Sequence, residues 1–197
     1  MALKRDGASA KVEVDALPPL GCYIAKMNRS ETGYLSSDKR YVWGDTVITI
    51  GLRAAPSEVT FAIYDSQVGE MQNVDRIRIP SAFHWPDSLK YIRSNLLDIL
   101  REYRVERAGI RLTEPNARSI NYERIHIEGV IQEAFASSEL THYFAGAIAT
   151  IAKHLKVERA AIKLMVEGAN ILNVQNWDGM ADKEREAVLT AMGAVNV

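Results

Sequence analysis

Two hydrophobic rhythms alternate along this chain. Thr46-Val47-Ile48-Thr49-Ile50-Gly51-Leu52 is β-branched and nearly all apolar, the pattern of a central strand covered on both faces. Pro and Ser in Ala54-Ala55-Pro56-Ser57 mark a turn. Glu58 to Asp65 reads as a second strand, and the short connection to Gly69 suits a hairpin. Val74, Ile77 and Ile79 alternate with Arg76 and Arg78 in a third strand of edge or half-exposed character, which Pro80 ends. The period then changes. Pro86 and Asp87 suit a helix start, and Leu89, Ile92, Leu96, Ile99, Leu100 and Tyr103 fall on one helical face. Arg107 to Thr113 predicts a fourth strand, so a parallel crossover follows from the strand-helix-strand order. Asn116 is expected to cap a second helix running to about Phe135 through Ile120, Ile127, Val130, Ile131 and Ala134. Gly129 inside it costs about 1 kcal/mol relative to Ala, so it is expected to pack closely on the sheet. Thr141 to Gly146 predicts a fifth strand, and Ile148 to Leu155, Ala160 to Glu167 and Ala181 to Met192 predict three further helices. The order is that of an α/β chain with a mixed sheet.

Residues 1–45 break this regularity. Gly7, Ser9, Pro18, Pro19, Gly21, Ser30, Gly33, Ser36 and Ser37 interrupt any period, so an irregular N-terminal extension is expected before a single domain over 46–197. An arm from Ala2 to Tyr34 could order on a protein partner.

Composition narrows the classes. The 197 residues are 47% hydrophobic and 25% charged, enough to bury a core without disulfides or a cofactor. Lys plus Arg number 24 against 25 Asp plus Glu, a net charge of -1, which excludes coating nucleic acid or a membrane by bulk charge but leaves room for a local basic site. The single cysteine, Cys22, points to a reducing compartment, so a cytoplasmic location is expected. No stretch reaches the roughly 18 apolar residues of a membrane span, and a soluble protein without a membrane partner is expected. A homo-oligomer is compatible with all of this. The chain has no phosphate-binding Gly-rich loop ending in Lys-Ser or Lys-Thr, no dinucleotide fingerprint and no Gly-x-Ser-x-Gly elbow. His84, His126, His142 and His154 are scattered, with structural or surface roles expected for each.

Three short stretches carry a resemblance. Ile48-Thr49-Ile50-Gly51-Leu52-Arg53 resembles the first strand of the RuvC-type, RNase-H-like nucleases, an apolar run, Gly, an apolar residue and then Asp. Glu106-Arg107-Ala108-Gly109-Ile110-Arg111, with the helix before it and Ile127 to Glu133 after it, resembles a small bacterial family of that superfamily. Asp178-Gly179-Met180-Ala181-Asp182-Lys183-Glu184 is similar to the Gly-x-x-Ala-Asp-Lys-Glu stretch of Holliday-junction resolvases. The resemblance implies an RNase-H-like mixed five-stranded sheet with flanking helices, strand one lying between strands two and four. It also implies metal-assisted phosphodiester hydrolysis, with carboxylates from the first strand, the fourth strand and the last helix holding two divalent ions about 4 Å apart.

The sequence departs from that pattern where the metals would sit. Arg53 stands in place of the first-strand Asp, and Arg111 lies near the fourth-strand carboxylate position. A guanidinium repels Mg²⁺ and cannot ligate it. Glu114 could serve as a displaced carboxylate, or as an acid near the start of the following helix. Asp178, Asp182 and Glu186 are spaced four apart and would share a face if the last helix reached back to Asp178. Arg53 and Arg111, on neighbouring strands, would meet at the carboxyl end of the sheet. There they would either bind phosphate or carboxylate, or each pair with a nearby acid such as Glu114 or Asp65.

Three readings follow. The first is a non-catalytic RNase-H-like domain that binds nucleic acid or another anionic partner through Arg53 and Arg111, or serves in an assembly, and needs no cofactor. The second is a nuclease using Glu114, Asp178 and Asp182 with Mg²⁺ or Mn²⁺, Glu114 and Asp182 being the metal ligands. The third is a structural subunit of a protein complex.

Overall fold

The computed structural model describes residues 47–114 and 119–197. The expected extension over 1–45, Cys22 within it, and Asn116 lie outside the described residues. Five strands, β1 (Ile48–Ala55), β2 (Glu58–Asp65), β3 (Glu70–Arg78), β4 (Arg107–Arg111) and β5 (His142–Gly146), form one sheet in the order β3-β2-β1-β4-β5. β1 runs antiparallel to β2 and parallel to β4, and β4 runs parallel to β5. Flanking them are α1 (Trp85–Glu102), α2 (Tyr122–Ala136), α3 (Ile148–Leu155), α4 (Arg159–Val166) and α5 (Asp182–Ala194). The mixed sheet is the arrangement expected from the order of elements, and β1 between β2 and β4 is the position that the resemblance implies. Among the described residues no helix is long and apolar enough to cross a membrane.

Alternation along the central strands sorts the side chains into two cores. Ile50, Leu52 and Ala54 of β1 and Ala108 and Ile110 of β4 join Ile92, Leu96, Leu100, Ile127 and Ile131 of α1 and α2. On the opposite face α5 packs against β1, β2 and β4. Its Ala187, Val188, Leu189, Ala191 and Ala194 cluster with Ile151, Leu155, Ile162 and Met165 of α3 and α4. This face of β1 is small and polar. The buried Thr49 hydroxyl donates to the Ala191 carbonyl at 2.7 Å. A Cβ at Gly51 would overlap the backbone of Ala187 and Ala191, so only glycine admits the helix this close.

Several expectations need correction. β1 extends through Ala54 and Ala55, because pairing with Val59 and Glu58 continues to a tight turn at Pro56-Ser57. β3 begins at Glu70, earlier than its apolar alternation suggests, because a register irregularity near Ile63 and Tyr64 breaks the period while the pairing persists. The second helix starts at Tyr122. Its cap is Asn121, whose side-chain oxygen accepts the Arg124 amide at 2.8 Å, and Ile120 lies outside the helix, exposed. Gly129 does not pack on the sheet. It is exposed, and a Cβ there would meet nothing within 4 Å. Asp178 belongs to a one-turn 3₁₀ helix, Trp177–Gly179, separated from α5 by extended Met180 and Ala181. Asp178 and Asp182 therefore share no helical face. The Glu184 carboxylate accepts the Ala181 amide at 2.8 Å and fixes the start of α5 at Asp182.

Candidate functional site

Arg53 and Arg111 are direct partners in the parallel register of β1 and β4. Each follows two residues after a glycine on the α5 face, Gly51 and Gly109, near the carboxyl ends of their strands, where open α/β sheets place ligands. The sequence expectation that the two guanidiniums meet rests on neighbouring strands, and the register brings them together. An Arg53 Nη1 donates to the Arg111 carbonyl at 3.4 Å.

A third residue joins them from α5. Glu186 pairs through Oε2 with Arg53 Nε, and its Oε1 lies 3.6 Å from Arg111 Nε. All three are shielded from water, with side-chain exposures of 13% for Arg53, 5% for Arg111 and 14% for Glu186. Neither Glu114 nor Asp65 takes Arg53. Asp65 instead accepts the Gln67 and Val68 amides in the hairpin turn. In the sequence, Glu186 stands out only through its four-residue spacing from Asp182 and Asp178. The signal that would have found it is a carboxylate opening the buried run Ala187 to Ala191.

Glu114 lies on the other side of Arg111. Its Oε1 is 3.2 Å from Arg111 Nη2 and accepts the Ile148 amide at the start of α3 at 3.1 Å, while Oε2 is 3.8 Å from Arg159 Nη2. It does act as a helix N-terminal acid, but for α3, 34 positions on, rather than for the next helix. Buried Glu128 of α2 holds the strand end beside it, accepting from the Thr113 amide at 2.9 Å and hydroxyl at 2.8 Å.

Charge at the corner is nearly balanced, with Arg111 at its centre. Burial pulls the Arg111 pKa down; Glu186, Glu114 and Glu128 push it up, and neighbouring Arg53 opposes them. Arg111 remains a cation, as guanidiniums do. Its Nε and Nη1 are buried without a hydrogen-bond partner among the described residues.

A divalent metal does not fit this donor set. Two guanidiniums occupy the corner, and both nearby carboxylates, Glu186 and Glu114, are already engaged by them. Asp182 lies 79% exposed, 3.5 Å from Arg185, and Asp178 is exposed on its 3₁₀ turn. Among the described residues no three or more His, Cys, Asp or Glu side chains are grouped to hold a metal ion. The histidines serve locally: His126 accepts from Trp85 Nε1 at 3.1 Å, and His154 stacks on Phe144 at 4.5 Å.

No protein-family model matches the chain, and no curated protein matches it. Solved structures do. The RuvC structure from Thermus thermophilus superposes with a TM-score of 0.56 over 75% of this chain and 92% of its own, at 12% identity. T. thermophilus RuvC in complex with a Holliday junction substrate gives a TM-score of 0.55 over 75% of this chain and 91% of its own, at 14% identity. At such identity the likeness is one of architecture, and it extends over nearly the full length of those relatives. Strand order, the central β1 and this superposition agree: the chain has the RNase-H-like fold.

Proposed function

We propose that this chain is an RNase-H-like domain that binds an anionic partner at the β1/β4 corner without cleaving phosphodiesters. The observation that carries the reading is Arg111, a buried cation whose Nη1 has no hydrogen-bond partner among the described residues, side by side with Arg53 where the resemblance would put acids. Paired guanidiniums recognise phosphate or carboxylate oxygens and repel the divalent ions that hydrolysis needs. Nucleic acid is the first partner to test, because a structural neighbour is solved with a Holliday junction substrate. Arg53 and Arg111 are the anion-binding residues, and no cofactor is required. The single cysteine favours a reducing compartment, the cytoplasm.

Fluorescence anisotropy with branched DNA, single-stranded DNA and RNA tests this, with and without Mg²⁺ or Mn²⁺. Binding is expected to weaken as salt rises, with log K linear in log salt, and to weaken further in Arg53→Gln, with all substrates intact. Metal-dependent cleavage that disappears in Glu114→Gln would instead establish a nuclease using Glu114, Asp178 and Asp182. Absence of binding to all three polymers would leave the structural-subunit reading.

A further inference from the structure

The seat of the Glu114 carboxylate has the form of an anion site. One oxygen takes the Ile148 amide at the N-terminus of α3 at 3.1 Å and Arg111 Nη2 at 3.2 Å; the other faces Arg159 Nη2 at 3.8 Å. A backbone N–H at the positive end of a helix dipole flanked by guanidiniums is the usual surrounding of a bound phosphate or sulfate. Ala147 at the helix cap offers no side-chain acceptor, so Glu114 alone among the described residues supplies the negative charge there. The seat offers more donors than this carboxylate uses. Arg111 is 95% shielded, yet its Nη1 finds no hydrogen-bond partner among the described residues, its Nε faces Glu186 at 3.6 Å, and Arg159 is held only at 3.8 Å. A tetrahedral oxyanion, with more acceptor oxygens than a carboxylate, matches that count better. Arg159 is 67% exposed and opens the seat to solvent.

We infer that Ile148 N–H, Arg111 and Arg159 form a tetrahedral-oxyanion site that Glu114 occupies as an internal competitor. A phosphate or phosphodiester group enters by displacing the Glu114 side chain. The inference rests on the anion-binding reading above and names its ligand class and its gate. Asn, Ser or Asp would be the ordinary local cap for a helix start; here the cap is borrowed from a strand end 34 residues away, so it can leave without unwinding α3.

Glu114→Gln keeps the shape of the plug and removes its charge. The probe is inorganic phosphate, compared with chloride at equal ionic strength, read by thermal melting with circular dichroism confirming the fold. At phosphate about ten-fold above its Kd, Glu114→Gln is expected to melt about 3–6 °C higher than in chloride. The wild type should gain less than half of that, and Glu114→Gln/Arg159→Ala should lose the gain. A folded Glu114→Gln that melts equally in phosphate and chloride overturns the site. A parallel DNA titration separates the sources. Phosphate response with tightened DNA binding supports the site with a polymer backbone as its ligand. Phosphate response with unchanged DNA binding supports it with a free oxyanion as its ligand and places any DNA contact outside this seat. DNA binding without any phosphate response overturns the site and leaves that reading standing.

Discussion

The two faces of β1 and β4 are built from alternate residues of the same segments, yet they have opposite chemistry. Under α1 and α2 lie Ile50, Leu52, Ala54, Ala108 and Ile110, all essentially without exposure. Under α5 lie Thr49, Gly51 and Arg53 beside Arg107, Gly109 and Arg111. The first face stabilises by apolar area removed from water, at roughly 25 cal/mol per Å². The second gives up that area for reach. Missing side chains at Gly51 let α5 settle on the strand at Ala187 and Ala191, which brings Glu186, immediately before Ala187, onto the two arginines. One face is replaceable by any well-fitting hydrocarbon; the other requires particular residues at particular heights.

The largest expected effect breaks the second face alone. Glu186→Ala leaves two adjacent, shielded guanidiniums without their shared counter-charge and is expected to cost about 3–5 kcal/mol in urea unfolding. A cost below 1 kcal/mol would mean that the arginines are neutralised elsewhere. Next, one substitution at two glycines should have opposite signs. Gly51→Ala forces α5 off the sheet and is expected to destabilise by about 1–3 kcal/mol, whereas Gly129→Ala, on the exposed side of α2, should stabilise by about 1 kcal/mol through helix propensity. Equal effects would erase the distinction between a glycine that serves packing and one that does not. The smallest effect concerns the rim of the α5 face, where Lys183 of α5 meets Glu58 of β2 at 2.8 Å. The Lys183 hydrogen bond, with Lys183 and Arg76 charges adding to it, holds the Glu58 carboxyl below its ordinary value of 4.5 despite partial burial. A depressed folded-state pKa stabilises above the unfolded value and is lost as pH falls through the folded one. Glu58→Gln should therefore cost less than about 1 kcal/mol at pH 7 and flatten the decline in stability below about pH 4.5; an unchanged decline would show the bridge to be without weight.

Most of the architecture was legible because it is written in local periods. The heptad-like spacing from Leu89 to Tyr103 gives α1, and the apolar run through Ile50 gives a strand covered on both sides. Asn116 and Asn121 are chemically equal as caps, so side-chain type alone does not separate them; the Asn121 side chain is the one that takes the Arg124 amide. At the corner, the meeting of Arg53 and Arg111 follows from the resemblance, which makes strands one and four neighbours. Their partner does not: Glu186 lies on a helix whose docking depth depends on a glycine 135 residues away in sequence, and nothing local in either segment announces the contact. Glu114 as a cap for α3 was hidden for the same reason.

The Thr49 hydroxyl and the Ala191 carbonyl, 142 positions apart, close one of the longest loops in the domain. Loop-closure entropy grows only slowly with length, but contacts of such span carry a larger closure cost than local ones. The buried side chains of the apolar layer all lie between Ile50 and Phe135, so that layer can consolidate largely from contiguous chain. Arg111 has Glu114 three residues away, but Arg53 has no ion-pair partner among the described residues until α5 has been made and docked. Until that moment the nascent sheet carries an uncompensated guanidinium on its open face, and the arrival of the last helix converts a charged surface into an interior.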